Sequence, residues 1–105
     1  MHDTLHPRCP IRTTLELVGG KWRLLIIQQL RSQPRRFGDL AQAIPEISEK
    51  MLTQELRHLA LHELVEKVDQ TYRLTAKGNL TLPLIESMAV FGQQYQALQK
   101  QERER

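Results

Sequence analysis

The chain of 105 residues contains a single cysteine, which excludes an intrachain disulfide and makes the reducing cytoplasm the expected compartment. Long hydrophobic runs are missing as well. The longest unbroken apolar stretch is Leu24 to Ile27, far too short to cross a bilayer, and residues 1 to 10 lack the apolar core of a signal peptide. No membrane association is expected. A phosphate-binding loop, a nucleophile elbow and a convincing acid–base pair are also absent, so neither enzymatic activity nor a cofactor is expected. There is no internal repeat, low-complexity segment or linker, and a chain this short buries one core, so residues 1–105 are expected to form one domain.

Hydrophobic residues make up 40% and charged residues 26% of the chain, as in an ordinary globular protein. Leu dominates the apolar set, which favours helices. The formal charge of +3 and the pI near 9.4 permit an anionic partner without identifying one. Arg31, Arg35 and Arg36 cluster beside Pro34, a pattern that serves solubility or phosphate binding, whereas the tail "KQERER" alternates sign like a solvated helix end.

Periodicity then gives the elements. Ile11, Leu15 and Val18 share one face of a first helix, with Pro10 in its first turn and Gly19-Gly20 as its stop. The segment "KWRLLIIQQLRSQ" is apolar around much of its circumference; it predicts a central core helix that ends before Pro34, with Trp22, Leu25, Ile26 and Leu30 pointing inward. Trp22 is read as a core anchor rather than a stacking platform. "RRFGDLAQAI" starts extended and becomes a short helix with Phe37, Leu40 and Ile44 inward, ended by Pro45. Ser48 is a suitable N-cap for the next helix, and Glu49 suits the positive end of its dipole. Two helices joined by so short a turn, over about residues 37–63, make a helix-turn-helix candidate.

After Leu64 the period changes to two. Residues 65–68 and 71–74 predict an antiparallel hairpin, although its connection, Asp69-Gln70, offers no glycine for a tight turn that needs positive φ. From Thr75 a long C-terminal helix is predicted over about 76–99, broken in character by Gly78 and Pro83. Leu80, Leu84, Met88, Phe91, Tyr95 and Leu98 recur on it at steps of three and four, a stripe too long for this domain to cover alone. A partner helix is its simplest cover.

The helix that starts after Ser48 has an unusual polar side. At about 100° per residue, Lys50, Thr53, Gln54 and Arg57 fall within roughly a third of the circumference, with Leu52, Leu56 and Leu59 on another face. A cation, a hydroxyl, an amide and a guanidinium suit the reading of base edges in a major groove. The same four side chains also suit a plain solvated face. Arg35, Arg36 and Arg73 are candidates for phosphate contacts, and Ser48 for the end of the helix nearest the DNA. Glu49 and Glu55 count against the DNA reading unless they point away from phosphate.

Two further groups invite chemistry. His58 and His62 are spaced i, i+4, and His2, His6 and Cys9 bunch together, but neither set completes a ligand shell, so no metal is expected. Cys9 precedes Pro10 at a helix start between Arg8 and Arg12, surroundings that favour thiolate.

Three segments in order, "CPIRTTLELVGGKW", "RRFGDLAQAIPEISEKMLTQELRHL" and "YRLTAKG", resemble the HxlR-type winged-helix transcriptional regulators, relatives of the MarR-type fold. The resemblance spans residues 9 to about 95. It implies a mainly α fold with a small β-hairpin and a homodimer held by the N- and C-terminal helices, with Ile11, Leu15, Leu84, Met88, Phe91 and Tyr95 at the interface. It implies double-stranded DNA as partner, in the form of a pseudo-palindromic operator read by two helices about one DNA turn apart. The hairpin at about 65–74 would be the wing. Family members usually carry a longer, Pro-containing wing, so either this wing is short or its tip is absent from the chain. Cys9 occupies the place of an N-terminal cysteine that some relatives use to sense quinones, aldehydes or hypochlorite; here a redox role and a structural role both remain open. A winged helix used for protein contact is the alternative, although such a surface would more often carry aromatic residues.

Overall fold

A computed structural model describes residues 9–104 of the chain. Helix α1 (Pro10–Val18) begins on a proline whose missing N–H has no helical partner to lose, and it stops where the Gly19 amide donates to the Leu15 carbonyl at 2.8 Å. Gly20 turns the chain with φ of +96°, a conformation that residues with a Cβ rarely adopt. Helix α2 (Arg23–Gln29) places Ile26 and Ile27 at the centre of the core.

Two expectations for α2 are corrected. The helix ends at Gln29 rather than just before Pro34, because the Leu30 and Arg31 amides switch to tighter bonds with the Ile27 and Gln28 carbonyls, at 3.0 and 3.2 Å. The Arg35 Nε then donates to the freed Gln29 carbonyl at 2.9 Å and caps the end. Leu25 is 41% exposed, and Ile27 takes the inward position instead. A helix apolar on nearly every side does not declare which side faces in.

Strand β1 (Arg35–Arg36) leads into α3 (Phe37–Ala43), whose Leu40 is fully buried, and after a turn comes α4 (Glu49–Leu61). Ser48 caps α4 as expected, its Oγ accepting from the Met51 amide at 3.0 Å. Leu52, Leu56 and Leu59 anchor the helix among Ile26, Ile27, Leu40 and Val65. The far end closes with the Leu64 amide on the Leu59 carbonyl (2.9 Å) and the Glu63 amide on the Ala60 carbonyl (3.0 Å). This is a Schellman closure, with Glu63 at φ +62° where glycine is usual. Lys77 Nζ lies 2.9 Å from Glu63 Oε1, and its hydrogen bond and charge hold the Glu63 carboxyl below its ordinary range.

Strands β2 (Val65–Val68) and β3 (Thr71–Leu74) pair antiparallel with Val65 opposite Leu74, and β1 adds to the other edge of β3 with Arg35 opposite Tyr72. The sheet thus has three strands, in the order β1-β3-β2. Contrary to the expectation from its composition, the connection is a tight two-residue turn, with Asp69 at φ +50° and Gln70 at φ +68°. Thr71 Oγ1 donates to the Val68 carbonyl at 2.8 Å and braces it. The wing is therefore short and continuous.

Left-handed geometry strains residues with a Cβ, by roughly 1 kcal/mol each, and Asn-Gly is the pair suited to such a turn. Asp69→Asn combined with Gln70→Gly is accordingly expected to stabilise the fold by about 1 kcal/mol. Urea unfolding measures this directly; a lowered midpoint would contradict it.

The long C-terminal helix expected over 76–99 is two helices, α5 (Ala76–Asn79) and α6 (Leu82–Arg103). Between them the Leu80 and Thr81 amides take tight bonds to the Lys77 and Gly78 carbonyls, both at 3.1 Å, and Pro83 enters at the start of α6. Proline there has no amide to satisfy, so a new helix begins rather than the old one continuing. The result is a mainly helical winged helix-turn-helix with α1 and α6 on its flank. No helix among the described residues is long and apolar enough to cross a membrane.

Candidate nucleic-acid interface and subunit face

Because Leu52, Leu56 and Leu59 fix α4 in the core, its opposite side must face outward. Lys50, Gln54 and Arg57 are exposed and Thr53 is half-buried beside them. None of the four has a side-chain hydrogen bond or ion pair among the described residues, whereas Arg23, Arg31, Arg35, Arg73 and Lys77 are each engaged. They form a continuous set of uncommitted donors and acceptors, running from the capped N-terminus at Ser48 to Arg57.

One of the two carboxylates that count against DNA is turned aside. Glu55 accepts from Arg23 Nε at 2.8 Å and is largely buried by that pairing, so it does not stand among the four. Glu49 remains exposed in the first turn of α4.

The candidate phosphate contacts are brought to one sheet but are unequal. Arg36 lies opposite Thr71 with its side chain exposed, while its amide donates to Asp39 Oδ2 at 3.3 Å. Arg35 is half-buried and spends its Nε on the end of α2. Arg73 donates to Glu66 across the wing at 2.7 Å, which offsets its charge. Arg36 is thus the least encumbered of the three. Lys67, exposed on the wing with Nζ 5.6 Å from the Tyr72 ring centre, is a cation that the sequence reading did not single out. Its place opposite Tyr72 follows from the hairpin register and could have been found there.

The residues expected at a subunit interface also converge. Ile11, Leu15, Leu84 and Met88 line one open groove between α1 and α6, with Val18 and Leu24 at its floor. Beyond it, Phe91 and Tyr95 stack at 6.3 Å between ring centres and stay exposed, as do Leu80 and Leu98. Leu25 joins this apolar surface through a neighbouring groove with Ile85 and Met88, which accounts for its outward position. Leu84 alone of the six is half-buried.

Cys9 is 3% exposed at the N-cap of α1 and makes no side-chain capping bond. Of the flanking groups, Arg8 lies outside the described residues, as do His2 and His6. His58 Nε2 donates to the Leu17 carbonyl at 3.0 Å, and its ring lies 4.6 Å from that of His62. That bond makes His58 a tie to α1. Trp22 packs against the core as expected, with Lys21 Nζ 4.7 Å from its ring centre.

Comparison with known proteins agrees with this architecture. Residues 17–100 match the family model of the HxlR-like helix-turn-helix. The uncharacterized HTH-type transcriptional regulator YdeP of Bacillus subtilis is 34% identical over 94 residues, covering 83% of this chain and 73% of the relative. The HTH-type transcriptional regulator YodB of the same organism is 32% identical over 102 residues, covering 90% and 89%. The crystal structure of its quinone-bound form superposes with a TM-score of 0.75, covering 80% of this chain and 96% of that one. A MarR-family protein of Porphyromonas gingivalis superposes with a TM-score of 0.80 at 38% identity, covering 88% and 97%. The exposed polar helix, the wing beside it and these relatives converge: the chain belongs to the HxlR-like helix-turn-helix family, and is a transcriptional regulator of the HTH type and not an enzyme.

Proposed function

We propose that the protein is a single cytoplasmic DNA-binding domain that acts as a homodimer on a pseudo-palindromic operator, with α4 as the recognition helix. The observation that carries this reading is the uncommitted polar face of α4. Lys50 and Arg57 suit guanine edges, Gln54 suits adenine, and the Thr53 methyl suits that of thymine. Arg36 and the capped helix start at Ser48 serve the phosphate backbone, and Arg35 and Arg73 add their charge beside it. The groove between α1 and α6 and the stripe from Met88 to Tyr95 support a second copy of the chain as the cover.

Binding of the purified protein to the DNA upstream of its own coding region, at several salt concentrations, tests the reading. Affinity should fall steeply with salt and exceed that for random duplex. Flat salt dependence without preference would leave the protein-contact alternative in its place. Gln54→Ala and Arg57→Ala should each relax specificity at one base position, at about 1–3 kcal/mol for a bidentate contact. A uniform loss over all sequences would reassign that residue to phosphate.

Cys9 gives the proposal a second part, a response to electrophiles or oxidants. It is supported by the likeness to YodB, solved with quinone bound, and to HypR, a redox regulator solved in oxidised form. Since Cys9 is buried, a reagent must first displace what covers it. Repeating the titration after quinone or diamide treatment, with the native chain and with Cys9→Ser, decides the matter. Equal responses of the two would remove Cys9 as the sensor.

A further inference from the structure

Helix α1 ends on carbonyls that it cannot satisfy itself, and its last turn carries no basic side chain to complement the negative end of its dipole. Two of those carbonyls are satisfied from elsewhere in the fold. Arg23, at the start of α2, donates from Nη1 to the Glu16 carbonyl at 3.1 Å and from Nε to Glu55 of α4 at 2.8 Å. His58 of α4 donates to the Leu17 carbonyl at 3.0 Å. At about 100° per residue, Glu55 and His58 lie on the flank of α4 between its reading face and its apolar face. One polar clamp therefore joins the end of α1, the start of α2 and the side of α4.

The clamp joins two surfaces with different tasks. The outer face of α1 carries Ile11 and Leu15, part of the apolar face proposed to meet a second subunit, while α4 carries the side chains proposed to read bases. In a dimer on two half-sites, the angle of α4 against α1 sets how far apart and how inclined the two recognition helices stand. Leu52, Leu56 and Leu59 hold α4 by dispersion and burial, which resist separation more than rotation. A guanidinium bonded at fixed angles to a carboxylate and a carbonyl supplies the missing angular restraint.

We propose that Arg23 and Glu55 are positioning residues for DNA reading. Their pairing holds the recognition helix at a fixed attitude to α1, and so fixes the half-site spacing the dimer accepts. This rests on the dimeric regulator reading above. It differs from a phosphate-contact role for Arg23, which would act through charge alone.

The test uses the full chain and a duplex that the native protein selects from a random pool, together with copies of that duplex carrying one base pair more or less between the half-sites. Arg23→Ala, Arg23→Lys and Glu55→Gln should each weaken binding to the selected duplex by about threefold to thirtyfold, the range in which residues remote from a ligand modulate coupled sites. They should also shrink the penalty for altered spacing and leave the salt slope unchanged. The double variant Arg23→Ala/Glu55→Gln should lose no more than the weaker single, because one interaction has been removed twice. Should Arg23→Ala fail to fold, Arg23→Lys carries the test, since it keeps the charge but cannot span both acceptors in one plane. Folded variants with native affinity and native spacing penalty overturn the clamp. A salt slope lowered by about one in Arg23→Ala also overturns it, making Arg23 a phosphate contact. If the native chain itself selects no duplex, the regulator reading fails; if it does and the variants match it, only the clamp fails.

Discussion

Replacing Phe91 by Glu is expected to leave a folded monomer whose affinity for a two-half-site duplex is about 10²–10⁴-fold below that of the native protein. Phe91 is 68% exposed, stacks among the described residues only on Tyr95 and lies outside the cluster of buried side chains that holds the domain together. A carboxylate there costs the lone subunit little, since it stays in water. In an interface the same carboxylate would be stripped of water opposite apolar partners from the second copy, which is prohibitive unless it is paired. Losing the proposed dimer would separate the two copies of α4, so the second half-site would no longer bind at the high effective concentration that the first one provides. Affinity for a single half-site should stay within a few-fold of native, because α4 is untouched. Mass by sedimentation and titration of one- and two-half-site duplexes separate these effects. A dimeric Phe91→Glu with native operator affinity would move the interface away from α6, and Met88→Glu, one turn earlier on the stripe, serves as the parallel check.

Much of this architecture is legible from local patterns, and the exceptions share a physical cause. The Ser48 cap, the Leu52, Leu56 and Leu59 repeat and the alternation of residues 65–68 and 71–74 are signals contained within a few residues, and each element lies where they put it. The wing turn and the end of α4 do not announce themselves, because Asp69, Gln70 and Glu63 hold left-handed conformations that tertiary pairing imposes on them against their preference. No local pattern of Asp-Gln reveals that two strands will force it into a tight turn. Leu25 and Ile27 are equivalent in sequence terms, and only the position of α6 beside α2 decides which of them is buried.

The site follows the same division. Lys50, Thr53, Gln54 and Arg57 share a face by helical spacing alone, so their convergence is visible in the sequence. Glu55 is different. Its charge looks like an obstacle to the proposed reading role of this helix until Arg23, distant in the chain, pairs with it. The unequal standing of Arg35, Arg36 and Arg73 is likewise decided by partners that no run of residues contains: the end of α2 for Arg35 and Glu66 for Arg73.

Gly78 is the position where a single added carbon should do the most damage. Sequence patterning marks it only as a weak point in a long helix. The structure gives it another role, as the point where α5 closes against the first residues of the wing. A Cβ there would lie 2.1 Å from the Leu64 carbonyl oxygen and 3.2 Å from a Leu74 methyl. Leu64 cannot retreat easily, because its carbonyl accepts the Thr75 amide at 3.2 Å and its own amide closes α4 on Leu59. Gly78→Ala should therefore destabilise the fold by about 3 kcal/mol, the upper part of the range for overpacking a tight site. For a domain of this size that is a melting temperature lower by roughly 12–24 °C. Because Leu64 links α4, the proposed recognition helix, to the wing, DNA binding should weaken even at temperatures where the variant remains folded. Gly38→Ala is the control. Gly38 is helical and exposed with open space where its Cβ would sit, so alanine should stabilise α3 by about 0.5–1 kcal/mol. If thermal denaturation moved the two variants in the same direction by similar amounts, the close approach of α5 to Leu64 would not be what makes glycine necessary at residue 78.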